Sequence, residues 1–71
     1  MLLQVVNIVE NSCQLLQTWK DDNKICFAAL KCIEAVCELG VLLPVQHMIV
    51  LSEVKGENEK LATKILKTQG I

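Results

Sequence analysis

The sequence contains no arginine and no tyrosine, and its only aromatic residues are one tryptophan and one phenylalanine. Without arginine, the chain lacks the bidentate side chain that most often reads guanine and that grips phosphate. Seven lysines and eight acidic residues leave a formal net charge of −1. A nucleic-acid binder usually has a strongly basic balance. We therefore expect no nucleic-acid partner.

Long hydrophobic runs are missing as well. No run, residues 41–45 included, approaches the about 20 residues of a membrane-spanning helix. The first ten residues are apolar, but Asn7 and Glu10 interrupt them, and neither a basic segment nor a small-residue cleavage site accompanies them. We expect no membrane span, no signal peptide and an intracellular location, either cytoplasmic or nuclear.

Hydrophobic residues are abundant for so short a chain. They make up 52% of the residues. With 71 residues, the chain is long enough for one domain at most. A chain of this length buries only about 60% of the surface that its unfolded form exposes. We infer that part of the apolar surface contacts another surface, as large exposed apolar patches usually do.

The first half of the chain predicts two helices joined by a polar turn. Apolar residues at spacings of three and four predict a first helix over residues 2–19. Asp22 or Asn23 is expected to cap a second helix over residues 24–39, which Gly40 ends. The inward stripe of the second helix is predicted to consist of Ile25, Ala28, Ala29, Cys32, Val36 and Leu39.

The second half repeats this order. Pro44 suits the first turn of a third helix that runs to about Val54, and its inward residues are predicted to be Val45, Met48, Ile49 and Ser52. Asn58 is expected to cap a fourth helix over residues 59–68. Short loops make neighbouring helices antiparallel. The prediction is an all-α fold of four helices in two antiparallel hairpins, residues 1–40 and 41–71, stacked as in an α-solenoid within one helical-repeat domain.

Residues 21–39 resemble the second helix of a HEAT or armadillo-like repeat. The resemblance covers about one repeat and consists of Asp21 or Asp22, Ile25, Ala29, Cys32 and Ile33. The chain departs from the family at Cys26, where arginine is frequent and pairs with turn aspartates of stacked repeats. The second half matches only in helix order and size. The resemblance therefore implies helical stacking but not a charge ladder.

The resemblance implies a protein–protein interaction scaffold. Repeat proteins need about three units with polar caps, and this chain offers two. We expect a fragment or shortened product of a longer solenoid, or else a compact bundle that dimerises. The partners would be proteins or adjacent helical repeats, with self-association possible. The terminal helices supply the predicted interface residues, which are Val5, Val9, Leu16, Trp19, Leu61, Ile65 and Leu66.

No residue pattern predicts chemistry. Four cysteines and His47 follow one another at intervals of 13, 6, 5 and 10 positions, without the short paired spacings of zinc sites. Nothing in the sequence places His47, the only histidine, beside a thiol that it could activate. We expect no enzyme activity, catalytic residue, metal or cofactor, and His47 is predicted to lie at the surface or partly buried on a helix.

The cysteines leave one alternative open. A small secreted helical ligand would be stapled by a disulfide between Cys13 and one cysteine of the second helix. Cys26, Cys32 and Cys37 cannot pair with one another, because offsets of six and five point in different directions on a helix. Reduced, structural thiols in an intracellular protein remain the preferred interpretation.

Overall fold

A computed structural model describes residues 2–70, with side chains described from Gln4 onward. All regular structure in that range is helical. The helices are α1 (Leu2–Thr18), α2 (Asn23–Glu38), α3 (Val45–Ser52) and α4 (Glu59–Thr68), with a single 3₁₀ turn (Gly56–Asn58) before α4. The all-α fold of four helices is confirmed, with bounds close to the predicted ones.

The ends of α2 form as the sequence predicts. Asp22 Oδ1 accepts hydrogen bonds from the backbone amides of Lys24 and Ile25, at 3.0 and 3.1 Å. These amides have no partner within the helix, so the carboxylate stabilises its first turn. Gly40 follows the helix with a φ of +86°, in the left-handed region that favours glycine.

The four helices are arranged as two stacked hairpins. α1 packs along α2, and α3 packs along α4. Between the hairpins, α1 contacts α3 and α2 contacts α4, whereas among residues 2–70 no contact joins α1 to α4 or α2 to α3. In an up-and-down four-helix bundle, consecutive helices such as α2 and α3 would be neighbours. The observed order is that of an α-solenoid-like stack.

One core holds the two hairpins together. Its largest fully buried side chains are Leu30, Ile33, Leu51 and Ile65, which come from α2, α3 and α4. α1 adds Val9, Cys13 and Leu16. Because its members come from both hairpins, the core spans the contact between them. Fully burying an aliphatic side chain of this size stabilises a fold by about 1.5–3 kcal/mol.

The predicted inward stripe of α2 is confirmed at Ala29 and Val36 but is wrong at Ala28, Cys32 and Leu39. Ala28 and Cys32 are exposed, Ile25 is half-buried, and Leu39 is 75% exposed. The buried residues are Cys26, Ala29, Leu30, Ile33, Val36 and Cys37. Both stripes have helical spacing, but the observed one contains Leu30 and Ile33, whose larger apolar area makes their burial more favourable than that of Ala28 and Cys32.

The inward face of α3 is also corrected. Val45, Ile49 and Ser52 are exposed and Met48 is half-buried, while His47 and Leu51 are buried. Pro44 precedes the helix as its N-cap residue with a ψ of 151°, so it does not belong to the first turn. Helix α3 is short and apolar on several sides, and its pattern therefore does not select one face.

Asn58 lies where the cap of α4 was predicted, but its side chain makes no capping hydrogen bond. Its Nδ2 donates instead to the backbone oxygen of Asn23 at the start of α2, at 3.0 Å. The side chain is buried there, and it ties the second hairpin to the first.

Candidate functional site

Two contacts show which sides of α1 and α2 face the second hairpin. Gln17 of α1 lines a surface groove together with Val50 of α3, so the Gln17 side of α1 faces α3. Glu34 of α2 pairs with Lys64 of α4, with 3.3 Å between Oε2 and Nζ, so the Glu34 side of α2 faces α4. Within residues 2–70, the far sides of α1 and α2 have no neighbouring helix.

Those far sides form an apolar surface, which we call the first end face. Successive residues of an α-helix are rotated by about 100°, which places its members on adjoining flanks of α1 and α2. Among its large apolar side chains, the most exposed are Leu39 at 75% and Trp19 at 50%. No member is charged. The first end face consists of Ile8, Leu15, Trp19, Ala28, Cys32, Ala35 and Leu39, all exposed.

The opposite end of the stack has a matching surface on α3 and α4. We call it the second end face. Its most exposed apolar side chain is Val45, at 68%, and its only charged member is Glu59. By the same helical geometry, the second end face consists of Val45, Met48, Ile49, Ser52, Glu59, Thr63 and Leu66.

Charged side chains gather along the outer edge of the stack, on α2 and α4. Glu34 accepts a hydrogen bond from Lys31 Nζ at 3.0 Å on its own helix and pairs with Lys64 across the stack. Hydrogen bonds from Lys31 and then Lys64 lower the pKa of the Glu34 carboxyl. Lys31 also lies 5.8 Å from the centre of the Phe27 ring. The edge is therefore charged, whereas the first end face carries no charge and the second carries a single one, Glu59.

Gln69 joins the end of α4 to the loop between the hairpins. Its Oε1 accepts from the backbone amide of Leu43 at 2.7 Å. Its Nε2 donates to the Val41 oxygen and to Cys37 Sγ, each at 3.3 Å. The role of Gln69 was not predicted from the sequence. A glutamine after a helix end has no local pattern that signals a partner 26 or 28 residues away.

The predicted interface residues fall into three groups. Val9, Leu16 and Ile65 are buried in the chain's own core, at 3%, 4% and 0% exposure. The partly buried residues Val5, Leu61 and Leu66 pack against that core. Trp19 is half-exposed and belongs to the first end face.

The missed members of the first end face had a partial signal in the sequence. Ile8 and Leu15 make α1 apolar over more than half of its circumference. A helix of that kind normally has neighbours on several sides, yet among the described helices α1 contacts only α2 and α3. The signal was the width of the apolar surface, while the stripe at strict spacing identified mainly core residues.

All four cysteines are free thiols, three of them buried. Burial raises the pKa of Cys13 to about 11 and also raises that of Cys37. Burial, followed by the charges of nearby aspartates, raises the pKa of Cys26, whose Sγ donates to the Trp19 oxygen at 3.2 Å. The reactive form of cysteine is the thiolate, so these three buried thiols are suited to packing. Nothing in this arrangement favours the disulfide-stapled ligand.

A groove of about 690 Å³ lies between the α1–α2 turn and the end of α3. Leu16, Val50 and Val54 line it, and charged residues of both signs surround them, namely Lys20, Asp21, Glu53 and Lys55. His47 does not line the groove. It is more deeply buried than predicted, and its Nδ1 has no hydrogen-bond partner among the side chains and backbone that the structure describes.

Residues 2–70 contain neither a cluster of metal-binding side chains nor a membrane-spanning helix. That part of the chain contains no group of three or more histidine, cysteine, aspartate or glutamate side chains placed to hold a metal ion. Nor does it contain a helix with both the length and the hydrophobicity needed to cross a bilayer.

Comparisons of the chain with protein-family models, with curated proteins and with solved structures found no match. The HEAT or armadillo-like resemblance stays a prediction. The fold itself is that of a small all-α protein built from two stacked hairpins.

Proposed function

We propose that this chain is a protein–protein interaction module, a scaffold piece of the α-helical repeat kind that docks further helical units on its end faces. The observation that carries the proposal is the distribution of charge. The lysine-rich edge of α2 and α4 suits contact with water, whereas thirteen of the fourteen residues of the two end faces are uncharged. Depletion of charge is typical of the buried centre of a protein interface.

The mechanism of such a module is burial of apolar surface. Removing apolar surface from water is worth about 25 cal/mol per Å² before the costs of association are subtracted. The molecule measures 31 × 23 × 18 Å, so its largest rectangular cross-section is about 700 Å². Stable interfaces bury about 800 Å² per partner. One end face supports a weak complex, whereas a unit held on both faces is bound more firmly.

The order of helix contacts supports the scaffold proposal over a self-contained bundle. Helices α1 and α3 lie side by side, as do α2 and α4, which is how successive hairpins stack in a solenoid. Such a stack can continue at either end, because each hairpin contacts only its neighbours. Free thiols are the form in which cysteine is kept in the cytoplasm and nucleus, and we place the module there.

Site-specific photo-crosslinking in cells tests the proposal. A photoreactive amino acid would replace Ala35 on the first end face or Val45 on the second. Gln14, exposed on the outer side of α1, is the matched control position. We expect defined protein adducts from both end-face positions and none from Gln14. Equal adducts at Gln14, or none at either end face, would contradict the proposal.

A further inference from the structure

We propose that a second copy of this chain docks its second end face on the first end face, in the relation that already joins the two hairpins within one chain. The inference rests on the proposed function and names the partner. It makes the contact head-to-tail, with two different surfaces meeting.

The proposed contact between copies continues the contact between the two hairpins inside one chain. There, α3 lies against α1 and α4 lies against α2. Repeating that step places α3 of one copy on α1 of the next, and α4 on α2. The same two helix pairs meet again, with apolar side chains such as Met48 and Leu66 directed towards Leu15 and Ala35. The outer surfaces of the stack therefore continue the pattern of its interior.

The charges on and beside the two end faces are compatible with this contact. The first end face carries no charge, and Glu59 is the only charged member of the second. Within the chain, Asn58 bonds to Asn23 and Lys64 pairs with Glu34. The same register would place Glu59 of the second copy beside the first turns of α2, where exposed Lys24 borders the first end face. Glu59 and Lys24, which carry opposite charges, thus meet in this arrangement.

The area of an end face limits how strongly two copies can associate. A cross-section of at most 31 × 23 Å is slightly below the per-partner area of a standard interface. We therefore expect a weak, concentration-dependent association. Because a head-to-tail contact leaves an unused face at each end, growth does not stop at the dimer. The weight-average mass in sedimentation equilibrium should rise past that of a dimer as the concentration increases.

Two single-face variants and a matched control test the geometry. Ala35→Glu places a charge on the first end face, and Val45→Glu places one on the second. Both positions are exposed, and both lie on helices that tolerate glutamate. Gln14→Glu adds the same charge on the outer side of α1. Circular dichroism would establish that all three variants fold like the wild type.

We expect each end-face variant to be monomeric alone and Gln14→Glu to associate like the wild type. Mixing Ala35→Glu with Val45→Glu should give a dimer that does not grow, because one variant retains the second end face and the other retains the first. If Val45→Glu dimerises alone while Ala35→Glu does not, two first end faces are meeting, and the head-to-tail proposal is wrong.

A measurement on the unmodified chain provides an independent check. Cys32 is the only exposed cysteine, and it lies on the first end face. Its rate of labelling by a maleimide should fall as the protein concentration rises through the association range. A constant labelling rate together with a monomeric mass at every concentration would overturn self-stacking. The crosslinking at Ala35 and Val45 would still decide the proposed function, since it detects any docked protein.

Discussion

The packing of α2 leads to a sharp prediction from two leucines on one chain. Leu30 is fully buried between the hairpins, whereas Leu39, at the end of the same helix, is 75% exposed. The inward stripe predicted from the sequence included Leu39 and omitted Leu30. The substitutions Leu30→Ala and Leu39→Ala therefore remove identical atoms and test which stripe holds the fold together.

The expected difference is large compared with the stability of so small a protein. Truncation of a buried leucine to alanine destabilises a protein by about 2–5 kcal/mol, because the cavity is only partly refilled. An exposed substitution usually changes stability by no more than about 0.5 kcal/mol. At roughly 0.05–0.15 kcal/mol per residue, a 71-residue chain has about 4–11 kcal/mol in total. Leu30→Ala should thus remove between about a fifth of the stability and all of it.

Urea unfolding followed by circular dichroism measures the difference. With a slope of about 1 kcal/mol per molar urea for a small protein, Leu30→Ala should lower the midpoint by about 2 M or more. Leu39→Ala should leave it nearly unchanged. If Leu30→Ala is unfolded in buffer, the milder pair Ile33→Val and Ile49→Val replaces it. Equal midpoint shifts for a buried residue and its exposed counterpart would refute the observed packing.

Three further predictions follow from single contacts. Gln69→Ala should destabilise the fold by about 1–3 kcal/mol in urea unfolding, because it removes the partner of the Leu43 amide; a loss no larger than that of an exposed substitution would contradict this role. Asp22→Ala should lower stability by about 1 kcal/mol, whereas Asp22→Asn should retain most of it, and identical losses would exclude capping. Burial raises the pKa of Cys13 from 9.0 to about 11, so the stability that the protonated thiol contributes is present below pH 9.0 and is lost as the pH rises towards 11. Unfolding midpoints measured across that range should fall less steeply for Cys13→Ala than for Cys32→Ala, and equal slopes would contradict the argument.

Much of the fold could be predicted because its signals are local. The capping carboxylate of Asp22 and the left-handed glycine at position 40 act within a few residues, and so the bounds of α2 were nearly right. The direction in which each helix packs depends on long-range competition. α2 carries two overlapping apolar stripes, and the bulk of Leu30 and Ile33 decides between them only once α1 and α4 are in place.

The connections between the hairpins could not be predicted, for a related reason. Asn58 bonds to the backbone of a residue 35 positions earlier, and Gln69 reaches back to the loop before α3. Neither residue type nor spacing announces such a bond. The candidate end faces were predicted in part, since the excess of apolar residues indicated a contact surface. The members of that surface became identifiable only when the core had claimed Val9, Leu16 and Ile65.

Amide chemical shifts recorded by NMR over a dilution series of the unmodified chain test the central claim most directly. The claim is that the apolar ends of a two-hairpin stack are docking surfaces. Concentration-dependent shifts should appear on the two end faces, at residues such as Ala35 and Met48, and should be absent along the charged edge around Glu34 and Lys64. Shifts confined to that edge, or spectra that do not change with concentration, would contradict head-to-tail stacking on these faces.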